Sequence, residues 1–248
     1  MLAVWIPRWL GEAYSRLYVE LGTDTFRLAD VVDVLGVSDS RARVIVHHLH
    51  RRGVLTVFER GRPRLYRLLS PENFVLLASG RVRRIQIPQE RYVQLIYDCF
   101  RAVDRLLELR SFVVYGSVAR GEASPTSDLD VLVVSDELEG SLGERVERLL
   151  RSVKREVAGE LRFLRERGYY TLISLYPLRG EEAERLPLVM LDMVEDAVVV
   201  YDEGGFFEGL VSELRRRLAE LGARRLRGAK GPFWDLKPDY RPLEVVPL

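Results

Sequence analysis

Cysteine occurs once in the 248 residues, asparagine once, and histidine only at positions 47, 48 and 50. A lone thiol, Cys99, excludes an internal disulfide, and its place in the apolar rhythm of Tyr92, Leu95, Ile96 and Phe100 makes it packing material. The three histidines share one helical stretch on which consecutive residues point about 100° apart. No cysteine or acid joins them, so their spacing does not describe a zinc site. No apolar run reaches membrane-spanning length, and the opening residues, though rather apolar over 2–10, lack the charged-then-apolar pattern of an export signal. A cytoplasmic protein with no membrane partner is the expectation. Net charge is only +1, which excludes a wholesale polyanion binder and leaves any nucleic-acid surface to local clustering. Internal repeats and low-complexity tracts are absent. Glutamine is scarce and arginine far outnumbers lysine in a chain that is 30% charged. Few heat-labile residues and dense ion-pairing charge point to a thermophile, although an arginine-rich genome produces the same bias.

What is present begins with 47% apolar residues, enough for one large core or two modest ones, of which two fits the organisation better. The spacing predicts helices over 14–21 and 26–35, a tight turn at Gly36-Val37, and a third helix capped by Ser38 and stopped by Gly53. Short strands over 54–58 and 65–69 flank a turn with three arginines at its tip. From position 38 to 67, eight arginines (41, 43, 51, 52, 60, 62, 64 and 67) stand against Asp39 and Glu59, a local charge of +6. This order resembles a winged helix-turn-helix, a family whose third helix enters the DNA major groove while the wing touches the backbone or minor groove. The resemblance makes Arg41, Arg43, His47, Arg51, Arg60, Arg62 and Arg64 the nucleic-acid-binding residues, with DNA or RNA as partner. Such domains also dimerise or dock proteins, so a homodimer or a protein partner stays open.

A short helix over 71–77, then Gly80 and Pro88, marks a boundary that divides the chain into 1–85 and 86–248. A long amphipathic helix over 89–110 leads into an apolar strand over 112–115. Gly116-Ser117 then turns the backbone sharply into a short helix, whose free N–H groups and the Ser117 hydroxyl face a phosphate. Asp128 and Asp130 follow in the next strand, two apart and therefore on one face. Two adjacent hard carboxylates suit Mg²⁺, or Mn²⁺, bridged to substrate phosphates. Arg120 either reaches a phosphate or is a solvated helix arginine; Glu122, Glu137 and Glu139 read as surface charge.

Gly-Ser, ten residues, then Asp-x-Asp, with Arg120-Gly121 and Ser127 in between, resembles the nucleotidyltransferase superfamily that includes DNA polymerase beta, most closely its minimal and kanamycin-type branches. The resemblance implies an α/β (α+β) mixed-sheet domain with flanking helices, following the N-terminal winged helix. It implies transfer of a nucleoside monophosphate from a nucleoside triphosphate to an acceptor hydroxyl. Asp128 and Asp130 would be the catalytic metal ligands, and Gly116, Ser117 and Arg120 would bind the nucleotide. A third carboxylate of the family belongs on a neighbouring strand, but the strand over 169–176 carries Ser174 at that place. A serine hydroxyl stays protonated near neutral pH and is no general base. Glu181 or Glu182 reaching in, a base supplied by the acceptor, and nucleotide binding without transfer are the open alternatives; the last makes the chain a nucleotide-sensing DNA-binding regulator. Downstream, a helix over 188–195 contributes Met190, Leu191 and Val194 to the core, a strand covers 197–201 and a helix covers 206–227. In the tail, Phe233, Trp234 and Tyr240 either fold over the nucleotide cleft, with Lys237 near phosphates, or are clamped to the core by Trp234.

Overall fold

The computed structural model describes residues 6–228 and 231–238. Its N-terminal unit runs α1 (Arg8–Leu21), β1 (Thr25–Phe26), α2 (Leu28–Leu35), α3 (Asp39–Arg51), β2 (Leu55–Glu59) and β3 (Leu65–Leu68). The three strands form an antiparallel sheet in the order β1-β3-β2. Ser38 caps α3 by accepting a hydrogen bond from the Arg41 N–H at 3.3 Å, which satisfies one of the free donors at that end. Phe26, expected to open a helix, is instead in β1 opposite Tyr66; a two-residue strand leaves no period in the sequence to detect.

A connecting helix, α4 (Pro71–Ala78), is capped by Ser70 and followed by α5 (Val93–Asp104), which begins after a 3₁₀ turn at Glu90–Tyr92. The remaining elements are β4 (Ser111–Tyr115), α6 (Gly116–Arg120), β5 (Leu129–Val134), α7 (Leu142–Glu156), α8 (Ala158–Glu166), β6 (Ile173–Leu178), α9 (Gly180–Glu184), β7 (Val198–Asp202), α10 (Phe206–Glu220), β8 (Arg224–Gly228) and β9 (Gly231–Asp235). Four of these strands make a mixed sheet in the order β6-β5-β4-β7, with β5 and β6 parallel and the other pairs antiparallel. Among the described residues no helix is long and apolar enough to cross a membrane.

Two apolar cores lie on opposite faces of this sheet, and the first extends without a break into the N-terminal unit. Phe112, Val114, Val131 and Val133 join Phe100, Leu95 and Leu149 and continue to Leu10, Leu17, Leu49 and Leu68. The second face, with Val113, Tyr115, Leu132 and Val134, is covered by α10 and by the 3₁₀ segment Leu188–Met193. Two cores therefore exist, but they are separated by the sheet and not by the 85/86 boundary. Arg67 fixes the N-terminal unit further: its guanidinium makes two hydrogen bonds to Glu160 of α8, at 2.6 and 2.7 Å, and lies 3.6 Å over the Phe163 ring.

The structure departs from the expected elements chiefly at the C-terminal end. The expected helix over 188–195 is a 3₁₀ segment over Leu188–Met193, and α10 stops at Glu220. Gly222 has φ +69°, a left-handed backbone that ends the helix at little steric cost. The arginine-rich stretch beyond it is β8, which pairs with β9 from Arg224↔Asp235 to Gly228↔Gly231. Trp234 is clamped as one alternative held, donating its indole N–H to the Leu191 carbonyl at 3.0 Å, while Phe233 is about half exposed. Tyr240 lies outside the described residues.

Candidate active site

Strand register assembles the site. In the antiparallel β4–β5 pair Tyr115 lies opposite Asp130, and in the parallel β5–β6 pair Asp130 lies beside Ser174. Alternation then places Val113, Tyr115, Asp130, Leu132, Ser174 and Tyr176 on one face. That face is apolar toward α10 and turns polar only at the edge where Asp130 and Ser174 sit. Asp128 precedes β5 and is exposed, whereas Asp130 is half-buried. Burial pushes the Asp130 carboxyl above the usual carboxylate range; the charges of Asp128 and Asp192 push the same way, against the Ser174 hydroxyl and the Arg120 guanidinium. Crowded negative charge on a partly desolvated carboxylate is the electrostatic setting in which a cation is welcome.

Gly116 closes one side. Its φ is +73°, and a Cβ there would run into Asp130 Oδ2, so the backbone can lie against the carboxylate only because position 116 has no side chain. The Ser117 hydroxyl makes no hydrogen bond to protein among the described residues. With only five residues α6 is a single turn, too short for the helix-dipole contribution that the sequence suggests; the backbone N–H groups of the turn and the Ser117 hydroxyl are what remain for an anion. The loop between α6 and Asp128 is tied down before any ligand arrives. The Ser124 N–H donates to Ser127 Oγ at 2.8 Å, and the Gln89 amide holds Ala123 by both N–H and C=O, at 3.1 and 2.9 Å.

Residues 96–177 match the family model of the nucleotidyltransferase domain. The match spans most of α5 through most of β6 and contains Gly116, Ser117, Arg120, Asp128 and Asp130. It supports the nucleotidyltransferase superfamily for this part of the chain, and a nucleotide substrate with it. No curated protein matches the chain. The fold does not bring Glu181 or Glu182 to Ser174: both sit on α9, beyond the far end of β6. Glu182 is bonded there to the buried Arg145 at 2.5 Å, and that guanidinium pulls its carboxyl down to about 2. Asp192, unremarked in the sequence because its segment looked like plain core, is the acid that the second face does supply. It is exposed, flanked by the buried Met190 and Met193, and its charge reaches both Asp130 and Tyr115. Among the described residues no three His, Cys, Asp or Glu side chains converge as a closed metal cage.

In the N-terminal unit, Ser40, Arg43, Val44, His47 and Arg51 form one exposed strip along α3, spaced as a single helical face. Arg41 lies beside it with its guanidinium 4.8 Å from the Trp9 ring centroid. Arg62 and Arg64 are exposed at the turn between β2 and β3, and Arg60 approaches Glu90 at 3.9 Å. His47, Arg51 and Arg60 line a groove of about 640 Å³ together with Arg84, Pro88 and Glu90. Arg67 is withdrawn from the expected basic surface: only 3% exposed and paired with Glu160, it offers nothing to a phosphate. His47 and His48 meet edge-on with ring centroids 5.4 Å apart, His48 also packing edge-on against Trp9, while His50 turns away to Glu90 at 2.9 Å.

Proposed function

We propose that the chain is a nucleotidyltransferase that moves a nucleoside monophosphate from a nucleoside triphosphate to an acceptor hydroxyl, using a divalent cation held by Asp128 and Asp130. The observation that carries this reading is the position of Asp130 against Gly116, with Asp128 beside it, inside the matched region. The donor set fits Mg²⁺ or Mn²⁺: two hard carboxylates at an open sheet edge leave room for waters and phosphate oxygens to complete the shell. A cation bound there would stabilise the attacking and the leaving oxygens together. The chain's own groups do the rest. The backbone at Gly116 and Ser117, with the Ser117 hydroxyl, holds the β and γ phosphates, and Arg120 neutralises charge beside Asp130. The acceptor oxygen bonds to the α-phosphorus while the bond from that phosphorus to the bridging oxygen breaks, and pyrophosphate departs with the electron pair. The hydroxyl proton passes to a carboxylate on this face. Asp192, the further acid whose charge acts on Asp130, is the candidate for that part.

The test is pyrophosphate release from each labelled triphosphate with Mg²⁺ or Mn²⁺, offered RNAs and proteins as acceptors. Asp130→Asn should remain folded and lose activity by roughly 10³-fold or more, since positioning and charge supply nearly all of phosphoryl-transfer catalysis. Transfer at the normal rate by that variant would refute the metal assignment. Asp192→Asn should lower kcat by about 10²-fold with nucleotide affinity kept, the scale of general-base catalysis.

One observation favours a second reading. The exposed basic strip on α3, with the arginine turn beyond it, suits a winged helix contacting DNA or RNA as a monomer or homodimer, and a site with Ser174 beside Asp130 suits nucleotide sensing without turnover. Saturable nucleotide binding with no pyrophosphate, alongside nucleic-acid binding that weakens steeply with salt, would select this reading.

A further inference from the structure

Between α6 and β8 lies a cleft of about 510 Å³ lined by Arg120 and Glu122, by Arg225 and Arg227, and by Glu195 and Asp196. Its two C-terminal arginines are not equivalent. Arg225 is only 20% exposed and is bonded to both Glu195 and Asp196, so its charge is spent on holding β8 in place. Arg227 is 84% exposed, and its one hydrogen bond to the described residues runs to Glu122 Oε1 at 3.3 Å. The other oxygen of that carboxylate accepts from Arg120 Nε at 2.9 Å. Glu122 thus stands between two guanidinium groups as a phosphate would, and on its inner side Arg120 is near enough to Asp130 to act on its charge.

The hairpin sets Arg227 on the same face as Arg225. Cross-strand register pairs Arg225 with Trp234 and Arg227 with Pro232, and Trp234 is fastened to the Leu191 carbonyl. Period-2 alternation therefore turns Arg225 and Arg227 to the same side as the anchored indole. An exposed carboxylate–arginine pair contributes little and is screened by salt. A terminal phosphate carries more charge and offers the several oxygens that planar guanidinium forks match, so it displaces such a carboxylate readily.

We propose that the outer oxygens of the γ phosphate, whose inner side rests on the Gly116 and Ser117 backbone, reach into this cleft, with Arg227 as a second guanidinium ligand beside Arg120 and Glu122 occupying both until the phosphate arrives. The inference rests on the nucleotidyltransferase reading and extends it to a residue outside the matched region. It makes the C-terminal hairpin the part of the chain that discriminates triphosphate from monophosphate.

The test is equilibrium binding of each ribonucleoside triphosphate, and of the matching mono- and diphosphates, to the full chain with Mg²⁺. Arg227→Ala should weaken triphosphate binding by about 10-fold, the scale of a lost charge-assisted pair, while monophosphate binding stays within about 2-fold. Glu122→Gln should tighten triphosphate binding by a few-fold, because its competing charge is gone. Melting temperatures of both variants check that the fold is kept, and Arg227→Lys should fall between wild type and Arg227→Ala. Wild-type affinity for triphosphate in Arg227→Ala, or equal losses for all three phosphate forms, overturns this inference alone. Failure of the wild-type chain to bind any nucleotide overturns the nucleotidyltransferase reading and this one with it.

Discussion

At Gly116 two constraints meet that no other residue satisfies: a φ of +73° and a carboxylate lying where a Cβ would go. Because the obstructed atom is the mobile end of Asp130, Gly116→Ala should cost only about 1–2 kcal/mol of stability from the backbone. If Asp130 holds the proposed cation, activity should fall far more, by about 10²-fold, since displacing that carboxylate would misplace the reacting groups by the order of an ångström. Denaturant unfolding beside turnover separates the two effects. Asp98 sets a different problem, buried among Asn73, Gln94 and Arg101. Burial outweighs the Asn73 hydrogen bond and lifts its carboxyl from 3.8 to about 7. Between those values the folded protein holds a proton that the unfolded chain has released, so stability should fall as pH rises through that window and stay low above it. Asp98→Asn should flatten this slope and be the more stable protein at pH 8, by on the order of a few kcal/mol.

Strands β4 and β5 were legible because their apolar runs are bounded by a glycine-serine turn on one side and two aspartates on the other, so period and punctuation agree. Asp192 and β8 were not, for a common reason. A 3₁₀ segment and an arginine-rich strand show neither a 3.6-residue nor a 2-residue apolar period, and tertiary contacts alone define them. Arg67 was misjudged because a count of local charge cannot see that one arginine of the eight is covered by a helix 93 positions away. The 3₁₀ turn before α5 was equally hidden, yet it carries a junction. Gln89 grips Ala123 in the loop before Asp128, while the next residue, Glu90, accepts from the Val57 N–H at 2.7 Å and bonds His50 of α3. Adjacent residues thus hold the loop before Asp128 and the arginine-bearing α3. Gln89→Ala should speed amide hydrogen exchange in 121–128 and raise KM for nucleotide a few-fold. Glu90→Gln should speed exchange around 50–59 and leave nucleotide KM unchanged. The opposite assignment of either effect would show that this turn does not hold the two segments separately.

Across the whole molecule, 38 cationic and 37 acidic side chains nearly cancel, and the structure spends many of them on arginine–carboxylate pairs. Most are exposed and worth at most about 1 kcal/mol each at room temperature, gaining in weight as temperature rises. The Arg67–Glu160 pair is the exception, with both side chains no more than 5% exposed. It joins β3 to α8 at the point where the continuous core passes from the N-terminal unit to the sheet. Burying two charges repays its desolvation only when both are fully bonded, and here both guanidinium nitrogens facing Glu160 and the Nε, which donates to the Thr23 carbonyl, are satisfied. Removing one partner leaves the other charge stranded, so Arg67→Ala should destabilise the protein by about 3–5 kcal/mol. Replacing both, Arg67→Met with Glu160→Leu, should restore stability to near or above wild type, because an apolar pair of similar volume forgoes the desolvation cost. A double-mutant cycle on chemical unfolding measures this. If the N-terminal unit were an independent domain, unfolding of Arg67→Ala would split into two transitions; the shared core requires one, shifted as a whole.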